Sequence, residues 1–318
     1  MREKERKVLI LDAGDLLFKK FYNPIPENEL KMVTEKAQLI IESFNLMGYD
    51  AIGIGDDDLS FGKEFLLEIS KKANYPFLSS NTLDEESGKL LFQPYLLKEM
   101  NSLRIGIFSL LSSNSFLSQS DPRKKGLTFR DPIETAQNMV KELQPKTGLI
   151  ILLSHLGYHK DLELAQTVPG IHMIVGSHPG MNLTYPPPNI NTIILQMSPK
   201  GMYAGRLDLT LYNNEPTFYN TMTKRYYERN LLNLKNRLIY TQAPETEKAQ
   251  MRKSIEEIEQ RLKQFRGKNE FTNTLYPLNE QVKDHLDILK MVEAYKSKYP
   301  ETGKPPQRTE APRPMGKP

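Results

Sequence analysis

From Lys7 to about Met222 the chain alternates short aliphatic runs with amphipathic segments. That alternation is what strands and crossover helices produce when they build a largely parallel or mixed sheet. Strands are expected at Val8–Leu11, Ala51–Ile54, Arg104–Ser109, Gly148–Leu153, Met173–Val175, Thr192–Gln196 and Leu207–Tyr212. Most are too short and too apolar to be anything but buried strands. Between them, Thr34–Met47 places Ala37, Ile40, Ile41, Phe44 and Met47 at helical spacing, with Gly48 as a stop. Phe61–Ala73 and Ile133–Leu143 follow the same pattern. The reading is an α/β layered domain.

Past Met222 the text turns to charged helix formers. Tyr227, Leu231, Leu234 and Leu238 form one stripe; Met251, Ile255, Ile258, Leu262 and Phe265 form another, and Gln242-Ala243-Pro244 breaks them apart. Two such seams predict an antiparallel helical hairpin that buries itself, with a dimerising coiled coil as the alternative. A further helix is expected over Gln281–Lys298. The chain thus divides into 7–222, a hairpin at 223–268, a helical extension at 269–299, and a tail at 300–318 whose prolines and polar neighbours predict disorder. A length of 318 residues suits about two domains.

Composition removes whole classes of function. With 43 basic and 39 acidic residues the net charge is +4, which without a clustered basic face does not make a nucleic-acid binder. There is no cysteine, so thiolate metal sites and cysteine nucleophiles are excluded, and any metal must sit on oxygen and imidazole. No apolar segment is long enough for a membrane span. The charged opening Met-Arg-Glu-Lys-Glu-Arg-Lys is not a signal peptide, so the chain as it stands reads as cytoplasmic, and as periplasmic if the natural N-terminus lies upstream.

Four of the aliphatic runs release a metal-competent side chain just past their end, where α/β folds gather ligands. The segments are Leu11-Asp12-Ala13-Gly14-Asp15, Gly53-Ile54-Gly55-Asp56-Asp57-Asp58, Leu153-Ser154-His155-Leu156-Gly157 and Val175-Gly176-Ser177-His178-Pro179-Gly180. Each has a bland reading. An aspartate after glycine often caps a helix, one of the Asp56–Asp58 triplet could cap the helix beginning near Ser60, and a lone histidine is more often structural. Two imidazoles in one topological position, opposite two carboxylate turns, favour a shared metal site. Asp12 is expected to make a local hydrogen bond, and His159 and His172 to lie on helix or strand surfaces.

In order and spacing these segments resemble the calcineurin-like metallophosphoesterases, in particular the catalytic domains of bacterial 5'-nucleotidases and 2',3'-cyclic phosphodiesterases. The resemblance runs from residue 7 to about 222 and takes in Met47 to Asp58, Pro76 to Asn81, and Gln196 to Leu209 with Gly201, Gly205 and Arg206. It implies an α/β/β/α arrangement in which two divalent ions share an aspartate and activate water for in-line attack on a phosphoester. Carried over, Asp15 takes the bridging position. Asp56 stands where the family's asparagine donates an oxygen, and His155 and His178 match the two imidazoles on the same ion. The resemblance therefore implies one divalent cation, Mn, Fe, Zn or Mg, with nothing in the ligand set choosing among them.

The chain also departs from the family pattern. The opening Asp-x-His would lie on a first strand upstream of Lys7, Gly180 stands where a second imidazole is expected, and Asp57 replaces the triplet's histidine. A second metal is thus short of ligands. Asp57 becomes the candidate proton donor, if its carboxylate neighbours raise its pKa. The expected function is a metal-dependent phosphoric ester hydrolase acting on a small phosphoester, nucleotides included, with activity reduced by the missing first-metal ligands. The alternative is an inactive binding or assembly module of the same fold, acting through a hairpin that dimerises.

Overall fold

The computed structural model describes residues 8–18, 27–100, 103–178, 180–187, 191–197, 201–213, 215 and 217–300. The first half runs β1 Leu11–Asp12, α1 Glu27–Met47, β2 Ala51–Gly53, α2 Gly62–Ser70, β3 Phe77–Leu78, β4 Thr82–Asp84, β5 Tyr95–Met100, β6 Leu103–Leu111, β7 Leu127–Phe129 and α3 Pro132–Leu143. The second half runs β8 Leu149–His155, α4 Tyr158–Thr167, β9 Met173–Gly176, β10 Ile193–Gln196, β11 Tyr203–Thr210, β12 Phe218–Asn220, α5 Thr221–Tyr240, α6 Glu245–Lys263, β13 Asn269–Pro277 and α7 Leu286–Lys298.

Strand burial explains the layering. In β6, Ile105 and Ile107 point to one side and Phe108 and Leu110 to the other; in β8, Leu149, Ile151 and Leu153 oppose Ile150 and Leu152. Side chains alternate across a strand, so an unbroken aliphatic run must have apolar partners on both faces. One face of the five-stranded sheet β10-β9-β8-β6-β5 packs on α3 and α4 through Ala136, Val140, Leu143 and Leu164. Its other face meets the parallel sheet β1-β2-β3 through Ala13, Ala51 and Leu78. The far side of that second sheet is covered by α1 and α2 through Ala37, Ile41, Leu66 and Ile69. The order helix, sheet, sheet, helix is the α/β/β/α arrangement that the resemblance implied.

Several element boundaries are corrected. The helix expected from Thr34 begins at Glu27, and that expected over Gln281–Lys298 begins only at Leu286. Residues 269–277, placed in a helical extension, form the central strand of β11-β13-β12, with Tyr203 opposite Pro277 and Thr210 opposite Glu270. Phe271 near its start is buried in the core between the sheets. Pairing with β13 also sets β11 at Tyr203–Thr210 rather than Leu207–Tyr212. Strand β5 was missed because its half-exposed Tyr95-Leu96-Leu97-Lys98-Glu99-Met100 breaks its apolar run with two adjacent charges, one on each face, as the edge of the sheet allows. Helices α5 and α6 pack as the expected hairpin: Met251, Ile255 and Phe265 are buried, and Tyr227, Leu231, Leu234 and Leu238 are half-buried. The tail expected to be disordered lies, apart from residue 300, outside the described residues.

Sheet β1-β2-β3 ends at β1. Both polar backbone atoms of Ile10 engage Asp50 on the β2 side, so those of Leu9 and Leu11 point the other way. They face a cleft of about 2050 Å³ lined by β1 on one side and β11 on the other, with Ile105, Ile151 and Met173 among its apolar walls. No strand pairs there among the described residues.

Candidate metal centre

Strands β1, β2, β8 and β9 are parallel within their sheets, so their C-terminal ends release side chains at matching edges. Asp15 follows β1 and Asp56 follows β2; His155 is the last residue of β8, and His178 lies two residues beyond β9. One potential ligand atom from each lies within 4.8 Å of all the others. His155 Nε2 is 3.1 Å from Asp56 Oδ1 and 3.3 Å from Asp15 Oδ2, and His178 Nδ1 is 3.6 Å from Asp56 Oδ1. The four sequence-predicted residues therefore converge.

The backbone is forced to deliver them. Asp15 and His178 have φ of 61° and 56°, in the left-handed region that non-glycine residues seldom occupy. Such strain persists only where the surroundings impose it, and it concentrates at functional sites. At the Asp15 turn the imposing group is Asp58, whose Oδ2 accepts the N–H groups of Asp15 and Gly55 while Oδ1 accepts those of Leu16 and Leu17, each at 2.9 Å. Gly55 is required beside it: a Cβ there would overlap the Asp15 carboxylate and come within 2.7 Å of His155 Cε1.

His155 is wholly buried. Its Nδ1 lies 3.1 Å from the Ala13 carbonyl and 2.7 Å from Ser177 Oγ. A proton on Nδ1 donated to that carbonyl leaves Nε2 toward the acids, which is how histidines are oriented for a metal. Burial works to lower the His155 pKa, but hydrogen bonds and charge from Asp15 and Asp56 prevail and raise it to about 10. For Asp15, burial works upward, and the same contact with His155 outweighs it, so its carboxyl sits below the usual range. Without a cation, the imidazolium is the charge that balances the two acids.

Asp57 does not join the cluster. Its carboxylate turns to Arg123, 2.6 Å from Nη1, and its backbone N–H donates to Asp15 Oδ1. Burial first, then the charges of Asp15 and Asp56, push Asp57 up to about 6 against the opposing pull of Arg123. The triplet thus relieves its own repulsion by divergence: Asp56 faces the imidazoles, Asp57 the guanidinium, and Asp58 the backbone of the neighbouring turn rather than a helix end. Sequence reasoning missed Arg123 and Asp58 as organising groups. Arg123 lies 66 positions from Asp57, and no local pattern announces a pairing at that separation.

Of the remaining candidates, Asp12 makes the expected local bond, accepting from Gly14 N, and burial pushes it up to about 6. His159 is exposed on α4. His172 corrects its surface assignment: half-buried, it accepts the Ile150 N–H on Nδ1, and burial keeps its pKa low. Gly180 brings no ligand. Asp15 and His178 open onto the cleft beside β1.

No family model matches the sequence. Among curated proteins the chain is 28% identical over 239 residues to the 5'-nucleotidase of Vibrio cholerae, a match covering 65% of this chain and 42% of that protein. It is 28% identical over 246 residues to protein UshA of Escherichia coli, covering 67% and 43%. The chain thus spans less than half the length of these relatives. Among solved structures, the calcineurin-like phosphoesterase YfkN of Bacillus subtilis matches with a TM-score of 0.61 at 17% identity, over 93% of this chain and 85% of that one. In fold the chain is thus similar to a calcineurin-like phosphoesterase, and in sequence it is similar to 5'-nucleotidases.

Proposed function

We propose that the chain is a metal-dependent phosphoester hydrolase of the 5'-nucleotidase kind, with Asp15, Asp56, His155 and His178 holding one divalent cation. The observation that carries this reading is the convergence of their ligand atoms within 4.8 Å. The donor set fits: two carboxylates and two imidazoles suit Mn, Fe, Zn or Mg, and the His155 Nδ1 contacts leave Nε2 as the donor. A cation there supplies Lewis acidity to a phosphoryl oxygen.

The chain's own residues do the rest. The Asp58-bound turn fixes Asp15, and the cleft beside Asp15 and His178 admits a small phosphoester, a nucleotide among them. Asp57, raised to about 6, is the proton-transfer group of this reading and stands at the edge of the cluster with its side chain 25% exposed. Activity is reduced relative to two-metal enzymes, because Gly180 stands where the resemblance places an imidazole ligand, Asp57 replaces the triplet's histidine, and a lost Lewis acid costs several kcal/mol of transition-state stabilisation. The same reading keeps the catalytic and hairpin segments as separate units and includes a homodimer through α5, where Leu232, Ile239 and Tyr240 are exposed.

Metal analysis of the wild type beside Asp15→Ala and His178→Ala tests the site; equal metal content in all three refutes it. Hydrolysis of an aryl phosphomonoester and diester with Mn²⁺ tests the chemistry. A rate no higher than that of His155→Ala leaves the second reading, an inactive binding module, which the engagement of Asp57 by Arg123 favours.

A further inference from the structure

Arg123 is fixed from both ends. Its Nε and Nη2 grip Asp121 as a fork at 3.0 and 2.8 Å, and Asp121 is itself held by the N–H groups of Leu117 and Arg123 at 3.0 Å. The guanidinium carbon stands 5.2 Å from the centre of the Phe116 ring, and the side chain is 2% exposed. In that pose Nη1 donates to Asp56 Oδ2 at 2.8 Å and to Asp57 Oδ1 at 2.6 Å. Asp56 is left with Oδ1 facing His155 and His178.

A planar fork differs from a mobile ammonium in dictating which oxygen of a carboxylate it takes. We propose that Arg123 is a positioning residue that makes Asp56 a one-oxygen donor and keeps Asp57 off the cation, so that the centre selects small imidazole-tolerant divalent ions over calcium. Calcium takes six to eight oxygens and favours two-oxygen carboxylates, whereas Mn, Fe and Zn accept imidazole nitrogen with single carboxylate oxygens. Two oxygens that could serve calcium, Asp56 Oδ2 and Asp57 Oδ1, are both committed to one Nη1.

The inference rests on the metal reading above, and calorimetric titration of the metal-stripped full chain with MnCl₂ and with CaCl₂ separates the two. Wild type should bind Mn²⁺ about 100-fold more tightly than Ca²⁺. In Arg123→Gln the Mn²⁺/Ca²⁺ affinity ratio should fall about tenfold or more, with Ca²⁺ binding strengthened in absolute terms as two oxygens are freed. General damage to the site would weaken both ions together, so a gain for calcium marks the positioning role. Asp121→Asn, which loosens the fork and keeps the guanidinium, should shift the ratio less and in the same direction; Arg123→Lys should fall between Arg123→Gln and wild type. No Mn²⁺ binding by wild type overturns the metal reading itself. Mn²⁺ binding with a wild-type ratio under about tenfold, or an unchanged ratio in the folded variants, overturns the role of Arg123 alone; where Arg123→Gln does not fold, Asp121→Asn, which keeps the guanidinium, carries the test, and an unchanged ratio there overturns it.

Discussion

Asp58→Asn is the substitution that most directly probes how the site is built. The carboxylate is 1% exposed, and each oxygen accepts two backbone N–H groups, all at 2.9 Å. The amide conserves size and one oxygen, but it sets an NH₂ against two donors that have no other partner in the turn. A buried donor left unpaired costs about 1–3 kcal/mol, so the two together put the loss at about 2–6 kcal/mol. A domain near the middle of the ordinary stability range, about 10 kcal/mol, absorbs that and stays folded at 25 °C. Urea denaturation should show a lower midpoint with an unchanged slope. Because the Asp58 oxygens hold the strained Asp15 turn, Mn²⁺ affinity should fall in parallel. A loss below about 1 kcal/mol would show that the turn needs no acceptor at that position and would sink the reasoning.

Gly55→Ala should abolish Mn²⁺ binding seen by calorimetry and destabilise by about 1–3 kcal/mol, since the added methyl occupies space held by Asp15 and His155; normal affinity would contradict that packing. His155 titrates near 10 when folded against 6.5 when free, and a raised histidine stabilises fully below 6.5 and loses that contribution as pH rises through about 10. The metal-free protein should therefore melt at progressively lower temperature between pH 7 and 10, and a flat profile in chelator would refute the imidazolium. Mn²⁺ binding near pH 7 must expel the same proton, so its apparent enthalpy should vary with the buffer's ionisation enthalpy. Phe271→Ala should cost about 3–5 kcal/mol in chemical denaturation, because Phe271 of β13 packs in the core between the sheets; a negligible loss would return residues 269–277 to a peripheral role.

Much of the architecture was legible because hydrophobic period is a local property. Unbroken runs such as Leu149–Leu153 can only be strands with apolar neighbours on both faces, and the stripes of α5 and α6 can only be faces of helices. Residues 269–277 were not legible: Asn269-Glu270-Phe271-Thr272-Asn273-Thr274 alternates weakly and sits among helix formers. What makes it a strand is the paired edges of β11 and β12 on either side.

The site divides along the same line. Sequence alone determined which residue types stand at the ends of the strands, because a chain of this pattern must turn there and small residues must accompany the turn. The tertiary structure decided how the acids are shared out. Asp56, Asp57 and Asp58 are chemically identical neighbours, and only the arrival of the imidazoles, of Arg123 and of the Asp15 backbone from distant segments gives each a different role. Electrostatic partnership depends on distance in space, and a sequence records order along the chain.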